Sequence, residues 1–192
     1  PPFIDAEIFP DALADFYWTS SVVHGNDDGS QRWWVDFEGV RLSSTRLVAG
    51  RTRCVRGRPV FERSSQRYDQ TQPGMIIDRV TGLWWEASAG GELPGRKTIE
   101  ESHRRCGDVD YGGVGGWRLP TIHELVTVMN DRVARPSNAE PFEDRQNLPY
   151  WSLNPVPGRP GEYLVLTQSG GYISERASAE GNGITSRCVR RP

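Results

Sequence analysis

The sequence is poor in the residues on which metal and cofactor chemistry usually depends. It has three cysteines, three histidines and two methionines among 192 residues. His24, His103 and His123 lack metal-ligand spacing, because the pair His123-Glu124 has no second histidine four positions on, as a zinc-binding helix requires. We therefore predict no zinc site and no bound cofactor, and we interpret His123 as an exposed helix residue.

Long apolar runs are also missing. No stretch approaches the roughly 18 to 20 apolar residues that a helix needs to cross a bilayer. The first residues have neither the basic start nor the apolar centre of a signal peptide. We expect no membrane insertion, and we place any export signal outside this sequence.

Motifs of catalysis are absent as well. The chain has no nucleophile elbow, and the glycines of YGGVGGW follow no convincing strand, which makes a phosphate-binding loop a poor interpretation. Carboxylates are plentiful, but sequence alone does not pair them into a glycosidase site. We predict that the protein is not an enzyme and has no catalytic residues.

Positive charge comes almost entirely from arginine. The chain has 22 arginines and a single lysine, Lys97, and its net charge is −2. Seven of the arginines lie between Arg46 and Arg67, where Glu62 is the only acid. This balance does not suit a nucleic-acid partner, whereas guanidinium groups bind sulfates and carboxylates well. A solvated face is the alternative interpretation of the arginine cluster.

What the chain does contain is an internal repeat. A constant offset of 133 positions relates four residues of the first copy to four of the second: Phe9, Asp11, Tyr17 and Trp18 match Phe142, Asp144, Tyr150 and Trp151. The copies end in RTRCVRG and TSRCVRR, and the segment between them has no counterpart ahead of the first copy. We predict the later half of one unit at 1–57, a polar linker at 58–74 and a complete unit at 75–192.

The complete unit combines two helices with short strands. MIIDRVTGLWWEAS predicts a hairpin with a Thr-Gly turn, and each helix, the first at about 98–107, opens with a capping box. Strands are predicted at 150–152, 162–167, 172–176 and 185–190. The expected fold is α+β, with two helices packed on short antiparallel sheets.

The segments DRVTGLWW, GGWRLPTIHEL, YWSL and SRCVRR resemble the Lcl C-terminal domain family, also called DUF1566. The resemblance covers about 75–191, and 5–57 match only the later half of the same unit. It implies a C-type-lectin-like fold and a bacterial surface or secreted setting. Relatives include adhesins for sulfated polysaccharides and the variable proteins of diversity-generating retroelements. The first copy departs from the family pattern, because it lacks the helices of the front half.

The cysteines follow the repeat. Cys54 and Cys188 are equivalent positions, and Cys106 lies on the first helix of the complete unit. We infer a Cys106–Cys188 disulfide, which suits an extracytoplasmic protein, and we expect the partner of Cys54 in a missing half-unit. Three reduced thiols in a cytosolic protein are the alternative.

Recognition is expected in polar loops at 22–32, 154–161 and 177–184. The candidate ligand-binding residues are Arg32, Trp33, Arg159, Glu162, Tyr172, Glu175 and Arg176. Oxygen-rich residues Asn26, Asp27 and Asp28 are weak candidates for calcium, and an ordinary Asn/Asp/Gly turn is the alternative.

These features predict an extracytoplasmic, non-enzymatic binding or adhesin module. Its expected ligand is an anionic or sulfated polysaccharide or a surface protein. Two alternatives stay open from sequence: a structural or assembly domain of a cell-envelope protein, which could form a homo-oligomer, and a variable protein-ligand receptor.

Overall fold

The computed structural model describes most of the chain. The described residues are 4–22, 31–38, 41–46, 49–57, 67–70, 72–88, 97–130, 137–138, 142, 149–167, 173–178 and 184–192. Their elements are β1 (Phe16–Val22), β2 (Gln31–Asp36), β3 (Arg41–Arg46), β4 (Tyr68–Asp69), β5 (Met75–Asp78), β6 (Trp84–Glu86), α1 (Ile99–Asp108), α2 (Ile122–Thr127), β7 (Met129–Asn130), β8 (Ser137–Asn138), β9 (Tyr150–Pro155), β10 (Glu162–Leu166), β11 (Ile173–Ser178) and β12 (Val189–Arg190).

The strands form small antiparallel sheets, so the predicted α+β class is confirmed. The strand orders are β1-β2-β3, β11-β10-β9, β12-β6-β5-β4 and β7-β8. Each neighbouring pair is antiparallel. Within the described ranges, no helix is both long and apolar enough to span a membrane.

The hairpin predicted around the Thr-Gly turn is present as β5 and β6. Gly82 donates its N–H to the carbonyl of Asp78 at 2.8 Å, and its φ of +70° explains why glycine occupies this turn. β4 pairs with β5, with Tyr68 opposite Asp78. The last part of the segment predicted as a linker therefore lies in this sheet.

Both helices begin with the predicted capping boxes. The Thr98 hydroxyl accepts from the Glu101 N–H at 3.2 Å, and the Glu101 carboxylate accepts from the Thr98 N–H at 2.8 Å. Thr121 and Glu124 repeat this arrangement with the same two distances. α2 is short: it ends at Thr127, and Met129, which has helical spacing in the sequence, begins β7.

Two clusters of buried side chains form the core. One packs the β5–β6 hairpin and α2 against β9 and β10. The other packs α1 against Trp117, Leu119 and Trp151, and it includes the predicted disulfide between Cys106 and Cys188, whose sulfur atoms are 2.07 Å apart. Three motif tryptophans, Trp85, Trp117 and Trp151, are buried, and Trp84 is partly buried against the second cluster.

The sheets β1-β2-β3 and β9-β10-β11 have the same topology, with three consecutive antiparallel strands each. Tyr17 pairs with Val35 in the first sheet, and Tyr150 pairs with Leu166 in the second. Each sheet also receives one parallel bridge from a later segment, Tyr17 to Arg51 and Tyr150 to Thr185. β3 lies beside β11, with Cα atoms within 8 Å.

Candidate functional site

Of the three predicted recognition loops, the structure describes one in full: the β9–β10 turn, which we define as residues 156–161. Val156 donates its N–H to the Glu162 carbonyl at 2.8 Å, Arg159 donates to Val156 at 3.1 Å, and Glu162 donates to Arg159 at 3.2 Å. Gly158 and Gly161 have φ of +73° and +78°, which side-chain-bearing residues rarely adopt. The backbone of the turn is thus fixed by its own hydrogen bonds.

Arg159 extends from this turn into solvent. Its side chain is 52% exposed, and the nearest carboxylate oxygen, on Glu162, is 3.7 Å from a guanidinium nitrogen. That separation is longer than a hydrogen bond, and exposed pairs of this kind contribute little to stability. Arg159 and Glu162 are therefore adjacent, charged and available to a ligand.

The end of β11 lies next to this pair. Glu162 is opposite Ser178, Leu164 is opposite Arg176, and Val165 is opposite Glu175. Only the backbone positions of Glu175 and Arg176 are described. Three sequence candidates, Glu162, Glu175 and Arg176, therefore lie on neighbouring strands, and Arg159 lies in the turn that precedes Glu162. Tyr172 lies outside the described residues.

The two candidates in the first copy lie in a different sheet. Arg32 is exposed, and its guanidinium donates to the Ser20 carbonyl at 3.1 Å. Trp33 is 3% exposed and therefore packs inside the molecule instead of offering its ring to a ligand. The neighbouring Trp34 is half-buried, and its ring centroid lies 5.5 Å from that of Phe16.

The calcium candidates Asn26, Asp27 and Asp28 lie outside the described residues. Most of the loops at 22–32 and 177–184 do so too. Within the part of the chain that the structure describes, no group of three or more His, Cys, Asp or Glu side chains is arranged to hold a metal ion.

Three arginines of the Arg46–Arg67 cluster form ion pairs with carboxylates. Arg51 pairs with Asp15 at 2.7 Å, and Arg53 pairs with Asp11 at 3.0 Å. Arg67 is buried against Asp78 at 2.6 Å. Arg67 is therefore part of the buried structure, whereas Arg51 and Arg53 form partly exposed ion pairs.

A buried charged cluster, which the sequence did not predict, lies beneath the disulfide. Glu86 accepts hydrogen bonds from Arg105, from the Tyr111 hydroxyl at 2.8 Å and from the Cys188 N–H at 3.1 Å. Burial and the neighbouring negative charge of Glu86 raise the pKa of Tyr111 well above its ordinary value, so the phenol keeps its proton. The sequence signal that could have revealed this cluster is Glu86, a carboxylate directly after Trp84 and Trp85.

Arg187 completes the cluster. Its guanidinium donates to the backbone carbonyls of Glu86 and Ala87 at 2.5 and 3.0 Å, and it lies 4.8 Å from the ring centroid of Phe142. Burial lowers the pKa of Arg187 to about 10, which leaves it charged at neutral pH. Through these hydrogen bonds the cluster joins β6, α1 and the final segment.

The family comparison covers this same region. The sequence model of the Lcl C-terminal domain matches residues 74–190, which is more than half of the chain. The match includes the hairpin, both helices, the β9–β10 turn and the disulfide. A search of curated proteins finds no match.

Proposed function

Because the chain belongs to the Lcl C-terminal domain family, we propose that it is an extracytoplasmic, non-enzymatic binding module for an anionic polysaccharide, built on a C-type-lectin-like fold. The disulfide between Cys106 and Cys188 is compatible with an extracytoplasmic setting. The observation that carries the proposal is the half-exposed Arg159 on its rigid turn.

The contrast with other arginines of the complete unit supports this choice. Arg105 and Arg118 form ion pairs with Glu86 and Glu124, and both contacts are within hydrogen-bonding distance. Among the described residues, the one ion pair of Arg159 is the loose 3.7 Å contact with Glu162. Its guanidinium can therefore donate two parallel N–H hydrogen bonds to a sulfate or carboxylate group.

Turn rigidity adds to the expected affinity. A ligand that binds a preformed turn does not pay to order the backbone, and loops on a fixed scaffold commonly carry recognition. Glu162 lies beside Arg159 and accepts hydrogen bonds, which suits sugar hydroxyls next to the acidic group. The backbone of the neighbouring strand β11 places Arg176 opposite Leu164 and Glu175 opposite Val165, close to Glu162.

The test is a polysaccharide array that includes sulfated and uronic-acid chains, probed at low and at physiological salt. We expect salt-sensitive binding to anionic chains, because exposed charge interactions are screened. Arg159→Ala should weaken binding about tenfold or more, the usual loss for a charge-assisted hydrogen bond. Arg104→Ala is the matched control, since Arg104 is an exposed arginine on α1.

The remaining arms separate the alternatives. Loss of binding in chelator, with recovery when calcium is added, would support the calcium site predicted at 26–28. Unchanged binding when Arg159, Glu162, Tyr172, Glu175 and Arg176 are all replaced by alanine would reject the proposed surface. A defined oligomer in light scattering without polysaccharide affinity would instead support the structural or assembly role.

A further inference from the structure

The segment around Cys54 has the same backbone connections as the segment around Cys188. Trp18 donates its N–H to the Arg51 carbonyl at 2.9 Å, and Arg51 donates to Phe16 at 3.0 Å. In the complete unit, Trp151 donates to Thr185 at 2.9 Å, and Thr185 donates to Pro149 at 2.8 Å. The two chain segments therefore enter their sheets in the same way, three residues before each cysteine.

Side chains correspond as well. Arg53 lies 5.0 Å from the ring centroid of Phe9, and Arg187 lies 4.8 Å from that of Phe142. Phe9 and Phe142 are separated by the repeat offset of 133. In both copies, the arginine immediately before the cysteine therefore lies over the equivalent phenylalanine.

The two copies differ where the last strand of the complete unit contacts the front half of that unit. Val189 is 0% exposed because it pairs with Trp85 of β6 and exchanges two backbone hydrogen bonds with Arg118. Its equivalent, Val55, is 95% exposed. Cys188 is joined to Cys106 of α1, whereas Cys54 is a free, exposed thiol.

The same difference is found on the sheet. Trp151 is fully buried, and its indole N–H donates to the Lys97 carbonyl just before α1 at 2.9 Å. Its equivalent, Trp18, is only half-buried. The covering elements of the complete unit are the β5–β6 hairpin, α1 and the segment 117–119. Among the described residues, no hairpin or helix covers the first copy in this way.

We infer that residues 52–57, which we call the Cys54 edge, bind the front half of another unit of this family: an antiparallel strand like β6 pairs with Val55, and a helix cysteine like Cys106 forms a disulfide with Cys54. The occupant is defined by the complete unit, whose equivalent edge is already filled by those elements. This inference does not depend on the polysaccharide proposal.

The covalent step balances with a small-molecule disulfide as oxidant. The Cys54 thiolate attacks oxidised glutathione, forms a mixed disulfide and releases one glutathione thiolate. The helix cysteine thiolate then attacks the Cys54 sulfur and releases the second glutathione. Two protein thiols are oxidised, and one oxidised glutathione is reduced to two thiols.

The test supplies a front half to the intact chain. Residues 67–141 of this sequence are joined ahead of residue 1 through a flexible linker, and the product is folded in glutathione buffer. Alkylation without reductant should label one thiol in the original chain and none in the extended one. Peptide mapping should find Cys54 linked to a helix cysteine. Amide exchange at Val55 should slow by about 100-fold, because its equivalent Val189 donates its N–H to the Arg118 carbonyl, and Arg118 belongs to the added segment.

Two variants separate strand pairing from the disulfide. With Cys106→Ser in the added copy, Cys54 should be labelled again while the Val55 amide stays protected. With Trp85→Asp in the added copy, which spoils the pairing strand, both effects should be lost. A disulfide from Cys54 to either helix cysteine supports the inference, because either one fills the edge with a front half.

A further variant makes the test independent of the folding of the added copy. Cys188→Ser in the original chain leaves Cys106 with Cys54 as its only equivalent partner, and we expect a Cys54–Cys106 disulfide within or between chains. If Cys54 stays alkylatable in this variant and in the extended chain, and the Val55 amide exchanges at its original rate, the inference is wrong.

Discussion

Asp78 is a carboxylate with no exposed surface, and it keeps its charge through one arginine. Arg67 donates two hydrogen bonds to it, at 3.0 and 2.6 Å, and a third to the Thr127 carbonyl at 2.8 Å. Burial works against the charged form, but the hydrogen bonds from Arg67 and Thr81 hold the pKa of Asp78 below its ordinary value. The pair therefore connects the β4–β5 strands to the end of α2.

Replacing Asp78 by asparagine should destabilise the protein strongly. The change leaves the Arg67 guanidinium buried without its counter-charge, and breaking such a pair costs about 3 to 5 kcal/mol. Urea unfolding at neutral pH measures the loss. Asp69→Asn is the matched control, because its partner Arg79 is largely exposed, and the expected cost is below about 1 kcal/mol. Equal losses in the two variants would contradict the role given to burial.

Glu124 predicts a pH dependence. Burial opposes its charge, yet hydrogen bonds from Arg118 and from the Thr121 N–H lower the pKa of Glu124. Since the pKa of an unfolded glutamate is about 4.3, this stabilisation is complete above that pH and is lost as the pH falls through the lower pKa of the folded protein.

Glu124→Gln should therefore be less stable than the original chain at pH 6, and the difference should shrink as the pH falls below about 4. Urea unfolding across this range measures both curves. Glu100→Gln provides the comparison, because Glu100 is exposed on α1 and forms no ion pair among the described residues. A Glu124 difference that stays constant with pH would argue against the ion pair.

At the scale of elements, local signals predicted local structure. Both capping boxes and the Thr-Gly hairpin are where the sequence placed them, because each depends on residues within four positions of one another. The repeat added the long-range inference of the Cys106–Cys188 disulfide. Equivalent positions in two copies gave information that a single copy does not contain.

Contacts without a local pattern were missed. Arg67 belongs to the segment predicted as a linker, which is polar and lacks apolar periodicity. Its partner Asp78 lies eleven positions away, across the β4–β5 pairing, where no local pattern reveals it. The Glu86 cluster unites residues that are far apart in sequence. Trp33 is a ligand-binding candidate in the sequence, but alternation of Trp33 and Trp34 leaves open which ring is exposed, and Trp33 is buried. Periodicity shows that a strand has two faces, but burial of each face is decided by packing.

The Cys106–Cys188 disulfide should stabilise the protein. Cys106→Ser should lower the free energy of unfolding by about 4 to 5 kcal/mol at most in the chain-entropy model, since the bridge spans 82 positions. Urea unfolding measures the change. Cys54→Ser should leave stability within about 0.5 kcal/mol of the original, as expected for an exposed site. Reductant should destabilise the original chain and the Cys54 variant, but not Cys106→Ser.

At the scale of the whole molecule, burial is unevenly distributed. The two large core clusters contain no residue from the described positions before Arg67. Ala12, Tyr17 and Trp33 are the buried apolar residues described in the first copy. Less apolar burial gives weaker resistance to local opening, although β1-β2-β3 has the same hydrogen-bonded order as β9-β10-β11.

Hydrogen exchange should therefore reveal two levels of stability in one chain. We expect opening of β2 to need at least about 2 kcal/mol less than opening of β10, because separate cooperative units open with different free energies. Exchange in low urea, resolved to peptides of each strand, measures both. Cys106→Ser provides an internal comparison: it should lower the opening free energy of β10, whose Val165 packs in the cluster containing the disulfide, and leave that of β2 unchanged. If β2 loses protection to the same extent, the two sheets belong to one cooperative unit, and the contact of β3 with β11 couples them.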